Sequence, residues 1–552
     1  MNKNKLFLFV ILFLFALGLR LYHLGQLPGG FHVDELRAGY VGKYLFHFGK
    51  DTQGHSFPLY FDTFGDFRPT GIFYLSGLSE FIFGVNEFAV RFPSALFGAL
   101  TVIPIYLISS LLFKSKRAAI VTAIIFIFLP WHIVLSRATS ESIVGLFFLV
   151  TALACFLKTC EKYSPRLLVI GSALFLCTYF FYHSFRFLVP LFIIPFYFYP
   201  GLVKKRRLIF AGISVGFFIA SFILIMSAGG NGRLSQVIFF KNPILSNTQE
   251  QLLSSEGQSE IRRARTFHNK PILYAREFVS QYLSYFSPNF LFLQGGVPHR
   301  YRIPEHGLFP LLVIPFIFLG TFLAKPHKNK WPMAFLFYVI VIAPLPAALT
   351  YEDAPNVQRA MILMVGLTLL AGYYTHEVMG LLTQLRLIKQ KAYVVLAAFF
   401  LLEFVYFWHQ YEIHSAYAGN FYRNVTETTM MKRMVPIVHD FDQIIVPIYD
   451  DIPMYYLFYS NHFDEITQDI GKHATRATFD NVVFVDSYCP AAHLSDYPIQ
   501  QGKILIIEKG DCRKPESDFV PLDSTIDTTT DTTKYVFYSV NSADIEDFKK
   551  PQ

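Results

Sequence analysis

Phe31-His32-Val33-Asp34-Glu35-Leu36-Arg37 sets two adjacent carboxylates and a guanidinium just past the first apolar run of the chain. Ionisable groups at a membrane boundary are costly to desolvate, so they are either wet or put to use. What surrounds them decides which. Residues 6–19 form an unbroken apolar run behind Lys3 and Lys5. No small-x-small cleavage pattern follows, and many further apolar runs do, so the run reads as an uncleaved first helix and not as a signal peptide.

Only 16% of the 552 residues are charged, well below the roughly one quarter of a soluble domain. Mean hydropathy is +0.38, and the 61 Phe and 32 Tyr suit aromatic belts at a bilayer surface. The class is a polytopic α-helical membrane protein. A spanning helix needs about 20 apolar residues. On that measure about eleven spans are expected: 6–22, 91–113, 118–135, 142–157, 167–182, 187–203, 208–227, 307–323, 331–349, 360–375 and 392–408.

The net charge of +8 does not point to nucleic acid, because the basic residues lie in short clusters between apolar runs. Six clusters alternate with the spans: Lys3 and Lys5; Lys114, Lys116 and Arg117; Lys158, Lys162 and Arg166; Lys204 to Arg207; Lys325, Lys328 and Lys330; Arg386, Lys389 and Lys391. All six fall on one side, and the positive-inside rule makes that side the cytoplasm. The amino terminus is then cytoplasmic, in the cell membrane, and the carboxyl-terminal part is outside. The outer face receives the long segments 23–90 and 228–306, which are long enough to suggest function. Within 23–90, residues 71–83 suit a helix lying in the interface.

A division at 408/409 is expected, with a membrane domain at 1–408 and a soluble α/β domain at 409–552. Residues 443–448, 482–485, 504–507 and 535–538 read as short strands, and a helix follows Asp451-Ile452-Pro453. Cys489 and Cys512 lie on the oxidising side, where a disulfide is plausible. The Thr/Asp-rich run 524–533 reads as a flexible loop. Arg91 reads as a helix anchor that snorkels, and Trp131 as a belt aromatic.

Acids and bases gather at the outer boundary: Asp34, Glu35, Arg37, Arg68, Arg137, Glu141, Arg233 and Arg359 among them. Carboxylates there could take a proton from a hydroxyl or hold a divalent cation, and guanidinium groups could hold a phosphate. Next to apolar grooves, that phosphate would be lipid-linked.

The order of these residues resembles that of C-type (GT-C) membrane glycosyltransferases. Pro28-Gly29-Gly30-Phe31-His32-Val33-Asp34-Glu35-Leu36-Arg37 resembles the Asp-Glu-x-Arg motif of their first outer loop. Arg68-Pro69 looks like their basic-Pro segment, Arg91-Phe92-Pro93 like their entry to the second span, and Ser136-Arg137-Ala138-Thr139-Ser140-Glu141 like their second acidic motif. The closest patterns are the protein O-mannosyltransferases and the aminoarabinose transferase of lipid A. Residues 1 to about 230 carry the likeness.

The resemblance implies an inverting transfer of a sugar from a polyprenyl-phosphate donor to a hydroxyl acceptor, on a protein or on a lipid or glycan. Asp34 would be the base and Glu35 its support. Arg37, Arg68, Arg137, Arg233 and Arg359 would hold the lipid phosphate, and Asp34 with Glu141 would be the ligands if a divalent cation takes part. Glu141 and Arg68 stand where the family often has Asp and Lys. The alternative is a transporter or flippase of a lipid-linked saccharide, which would call for midplane polar groups, broken helices or inverted repeats. The sequence has clean spans and no internal repeat.

Overall fold

The computed structural model describes residues 3–51, 54–63, 66–227, 238, 240, 243–256, 261–324, 330–385, 391–415, 421–448, 451–462, 476–513, 519–527 and 532–548. The apolar runs are helices, the form that satisfies every backbone group within its own segment inside lipid. Among the described residues, seven helices are long and apolar enough to cross a membrane: Asn4–Leu21, Glu87–Phe113, Glu141–Glu161, Lys204–Met226, Trp331–Ala348, Ile362–Gln384 and Tyr393–His414. Lys116–Ile127 and Pro130–Ser136 form an eighth if the 54° bend between them lies within one span. The break falls at Pro130, which lacks an N–H for the preceding turn.

The remaining three of the expected eleven spans are shorter than the sequence suggests. They are Pro165–Thr178, His183–Tyr197 and Val313–Leu323, at 14, 15 and 11 residues. At about 1.5 Å per residue such helices rise only about 17–23 Å, less than a hydrocarbon core of about 30 Å. Polar contacts mark their ends. Arg186 donates to the Tyr179 carbonyl (3.1 Å) in the turn before His183–Tyr197. Glu403 accepts the Leu311 and Leu312 N–H groups just ahead of Val313–Leu323.

Two long helices bury little of their apolar surface. On Lys204–Ser227, Phe222 is 64% exposed; on Lys391–His409, Val394 is 70% exposed. Aliphatic and aromatic surface on this scale is stable only against lipid or another apolar surface. The protein is an integral membrane protein.

The chain forms two compact units. One is Met1–Tyr22, Asp66–Gly71 and Ser94–Tyr411; the other is His23–Gly65, Ile72–Pro93 and Glu412–Gln552. In the first, Trp131 is 1% exposed and its indole N–H donates to the Val357 carbonyl (2.9 Å). It is therefore a core residue and not a belt aromatic: its one polar atom found a partner inside, so nothing draws it to the interface.

The second unit is built on a six-stranded sheet. Across it run Arg476–Phe479, Val482–Val485, Gln443–Pro447, Lys503–Lys509, Thr532–Asn541 and Val520–Asp527, in that order. Gln443–Pro447 is parallel to both of its neighbours, and the outer pairs are antiparallel. Every residue of Val482–Val485 is buried, as are Ile504 to Glu508. Such unalternating runs belong to strands covered on both faces. One face packs Ile445, Val483, Val485, Ile504, Ile506 and Val540 together with Leu494 and Ile545. On the other, Tyr456 of helix Ile452–Tyr459 meets Phe484 at a ring-centroid distance of 6.0 Å. Cys489 and Cys512 form a disulfide with 5.6 Å between their Cα atoms.

The expected loop 524–533 is otherwise. Residues up to Asp527 and from Thr532 onward are paired strands, while 528–531 lie outside the described residues. The β-branched threonines that made the run look polar also suit a pleated strand.

The same unit contains helix Val33–Phe48 and, from Ile72 onward, helix Gly71–Phe83. They touch backbone to backbone. A Cβ at Gly42 would strike the Phe73 carbonyl oxygen, and one at Gly77 would strike the Gly42 carbonyl oxygen. The exposed face of Gly71–Phe83 carries Phe81 and Ile82, 76% and 62% exposed, which fits the interfacial helix expected there. Gly42→Ala and Gly77→Ala should each cost about 1–3 kcal/mol through overpacking. Both should lower the melting temperature in detergent, and an unchanged value in both would show that the crossing is not close.

Glu508 is buried in the sheet, and burial pushes its carboxyl up to about 7 although it accepts from the Ala491 N–H. A folded-state value above the unfolded one means that the folded state binds more protons. Glu508 then stabilises the unit fully below about pH 4.5, and its contribution is lost as pH rises through about 7. Thermal unfolding of Glu508→Gln should lose this part of the pH dependence; a melting curve as pH-sensitive as that of the wild type would refute the assignment.

Candidate active site

Asp34, Glu35 and Arg37 lie in the first turns of helix Val33–Phe48. The turn is fixed by its own side chains. His32, the N-cap, accepts the Asp34 N–H on Nδ1 (3.0 Å), which requires that nitrogen to be unprotonated, and the His32 N–H donates to Glu35 Oε2 (3.4 Å). Two carboxylates in a first helical turn also face the positive end of the helix dipole.

The two acids have different surroundings. Glu35 is buried, and its carboxylate is gripped by two arginines. Arg91 donates through Nε to Oε1 (3.0 Å) and through Nη2 to Oε2 (3.1 Å), and Arg423 donates through Nη2 to Oε2 (3.1 Å). Asp34 is the more open acid, with a side chain 21% exposed against 4% for Glu35. Its carboxylate lies 3.7 Å from His32 Nδ1. Arg37 donates through Nη2 to both oxygens of Asp451, at 2.9 and 3.1 Å.

Arg91 is the hub of this arrangement. It is fully buried, so it does not snorkel. Besides Glu35, its terminal nitrogens donate to the carbonyls of Leu24, Pro28 and Gly30. All five N–H groups of the fork have acceptors. The guanidinium also lies 5.8 Å from the centre of the Phe31 ring. Gly30 completes the turn: its φ is +72°, and a Cβ there would strike the Arg423 carbonyl oxygen. A positive φ and a backbone neighbour together leave only glycine.

Sequence reasoning missed Arg423, and it gave Asp451 only the role of a helix start. Neither belongs to a motif, and each lies about four hundred residues from its partner. The one usable signal was the helix start at Asp451, whose carboxylate caps no N–H and turns to Arg37 instead.

The other expected residues are in the first unit. Arg68 lies partly buried in the extended segment Asp66–Pro69, and Glu141 opens helix Glu141–Glu161. Arg137 is fully buried. It donates to the carbonyls of Leu19, Arg20 and Tyr22 and to the Tyr411 hydroxyl, and lies 5.2 Å from the Trp408 ring centre. Its guanidinium thus closes the carbonyl end of the first helix. Arg359 is engaged with Thr350 and Glu352 in its own loop. Arg233 lies outside the described residues. Among the described residues, no three of His, Cys, Asp and Glu come together as a donor set for a metal ion.

The family model for dolichyl-phosphate-mannose-protein mannosyltransferases matches residues 10–168. The chain is similar in structure to ArnT from Cupriavidus metallidurans in the apo state, with a TM-score of 0.51 and 14% identity over 100% of this chain and 99% of that one. The chain has the ArnT fold. ArnT bound to undecaprenyl phosphate gives the same TM-score at 13% identity, over the whole of both chains. The expected likeness to C-type membrane glycosyltransferases thereby holds for the fold. The archaeal oligosaccharyltransferase AglB from Archaeoglobus fulgidus, in complex with an inhibitory peptide and a dolichol-phosphate, matches 83% of this chain at a TM-score of 0.49 and 14% identity. The chain spans 64% of the length of that AglB. A comparison with curated proteins returns no match.

Replacing Arg91 by Leu takes from the buried Glu35 carboxylate one of its two arginines and removes the donor to three carbonyls, and breaking a buried pair in this way costs about 3–5 kcal/mol. Arg91→Lys keeps the charge but not the fork, so it should recover only part of the loss. Thermal unfolding of the two variants tests this; equal stability of Arg91→Leu and wild type would refute it.

Proposed function

We propose that this protein is an inverting glycosyltransferase that moves a sugar from a polyprenyl-phosphate donor to a hydroxyl acceptor on the outer face of the membrane. The observation that carries the proposal is the unequal state of two adjacent acids. Glu35 is spent on Arg91 and Arg423, and Asp34, on the same helical turn, is the carboxylate more open to a substrate. The family match over 10–168, which spans this motif, and the undecaprenyl phosphate in the ArnT structure support the chemistry.

In the proposed reaction the acceptor hydroxyl attacks the anomeric carbon on the face opposite the phosphate. Its proton passes to an Asp34 carboxylate oxygen. The bond from the anomeric carbon to the phosphate oxygen breaks, and the electron pair leaves with the polyprenyl phosphate. Inversion follows from the opposed faces. Phosphate is a good leaving group, so a weak base suffices. Arg37 is the arginine we assign to the donor phosphate, since a guanidinium matches phosphate oxygens in a bidentate way. Arg137, which closes the end of the first helix, and Arg359, which ties its own loop, we assign to holding the chain. Among the described residues no three of His, Cys, Asp and Glu form a donor set for a divalent cation.

The six basic clusters support an orientation with the amino terminus on the cytoplasmic side of the cell membrane and the carboxyl-terminal segment outside. The Cys489–Cys512 disulfide agrees with the oxidising side.

Purified Asp34→Asn, supplied with a sugar-loaded polyprenyl phosphate and a hydroxyl acceptor, should keep the wild-type melting temperature and lose transfer by about 10²-fold or more, as expected for loss of a general base. Retained transfer would remove Asp34 from the role. Movement of the lipid-linked sugar between leaflets by the wild type with no new glycosidic bond would overturn the proposal itself.

A further inference from the structure

Every charged member of the Asp34-Glu35-x-Arg37 motif whose bonds are described is held by a residue from beyond its own helix. Two of those residues come from the carboxyl-terminal segment of the same unit. Arg423 is 2% exposed and joins the turn before the helix to the motif: its Nε donates to the Gly29 carbonyl (2.9 Å) and its Nη2 to Glu35 (3.1 Å). Asp451 stands at the N-cap of helix Ile452–Tyr459, where an aspartate ordinarily accepts a backbone N–H of the first turn. It caps nothing there. Both of its oxygens meet Nη2 of Arg37, and the two side chains are only 10% and 17% exposed. A carboxylate diverted from its local partner to a guanidinium 414 residues away is placed for that guanidinium.

We infer that Arg423 and Asp451 are positioning residues for the transfer reaction, an inference that rests on the function proposed above. Arg423, with Arg91, withdraws Glu35 from proton chemistry and leaves Asp34 as the base. Asp451 sets the plane of the Arg37 guanidinium and so the direction in which it meets a phosphate. Neither residue touches the reacting atoms. The carboxyl-terminal segment thereby becomes part of the catalytic apparatus and not a separate appendage. Small errors in the aim of a charged group cost turnover far more than they cost stability.

The test is a double-mutant cycle on full-length protein in detergent, read as kcat per folded molecule, with the folded fraction taken from thermal unfolding. Asp451→Asn should lose at least tenfold in kcat, and Asp451→Glu should regain most of it. Arg37→Gln should lose at least as much as Asp451→Asn. Adding Asp451→Asn to Arg37→Gln should cost less than a further twofold, because the aspartate acts through the arginine. Arg423→Lys, which keeps the charge without the fork, should also lose at least tenfold; it carries the comparison if Asp451→Asn fails to fold. A purely structural role would move the folded fraction and leave kcat per folded molecule within twofold of wild type. That result, or losses that multiply in the double variant, would overturn the inference alone. A wild type that transfers no sugar from any polyprenyl phosphate would overturn the functional proposal and this inference with it.

Discussion

A guanidinium with no exposure to solvent organises the second unit. Arg91 satisfies five N–H groups with the Glu35 carboxylate and the carbonyls of Leu24, Pro28 and Gly30. Burying a charge is expensive unless it is paired and all of its hydrogen bonds are made. Arg91 meets both conditions, and meeting them dictates the path of the chain. Residues 24–30 must turn their carbonyls inward, Gly30 must take a positive φ, and Glu35 must arrive on the first turn of its helix. The position of the acidic motif is therefore a consequence of a folded loop.

The same unit is fastened by acid–base contacts between segments remote in sequence. Glu35 meets Arg423, Arg37 meets Asp451, and Glu87 meets Lys432 and the Tyr459 hydroxyl. Apolar contacts accompany them: Phe31 lies 5.0 Å from Phe458 between ring centres, its N–H donates to Thr428, and its carbonyl accepts from Tyr455. Exposed ion pairs of this kind would contribute little, but these are mostly buried, where direction and partner matter. For the proposed sugar transfer such rigidity would keep the acid and the phosphate-binding group aimed while two substrates exchange.

Arginine serves two ends in this chain. On the first helix, Arg137 meets the carbonyls of Leu19, Arg20 and Tyr22, groups that a helix end leaves without intrahelical partners. Near the acidic motif, arginines meet carboxylates. Residue type alone does not distinguish the two.

Local chemistry decided much of this protein in advance. Apolar run length marks the helices, the six basic clusters suggest an orientation, and short apolar runs such as Val482-Val483-Phe484-Val485 read as strands of an α/β domain. The Asp-Glu-x-Arg stretch stood out for the same reason: charges next to an apolar run are conspicuous in one dimension. Partners were not legible. Glu35 lies 56 residues from Arg91 and 388 from Arg423, and nothing in the intervening chain encodes those distances. Hydropathy and charge are properties of a segment, but the bond a buried side chain makes depends on which other segments pack beside it. Only tertiary structure could turn Arg91 from a surface anchor into a hub, Trp131 from a belt residue into core, and Asp451 from a helix cap into the holder of Arg37.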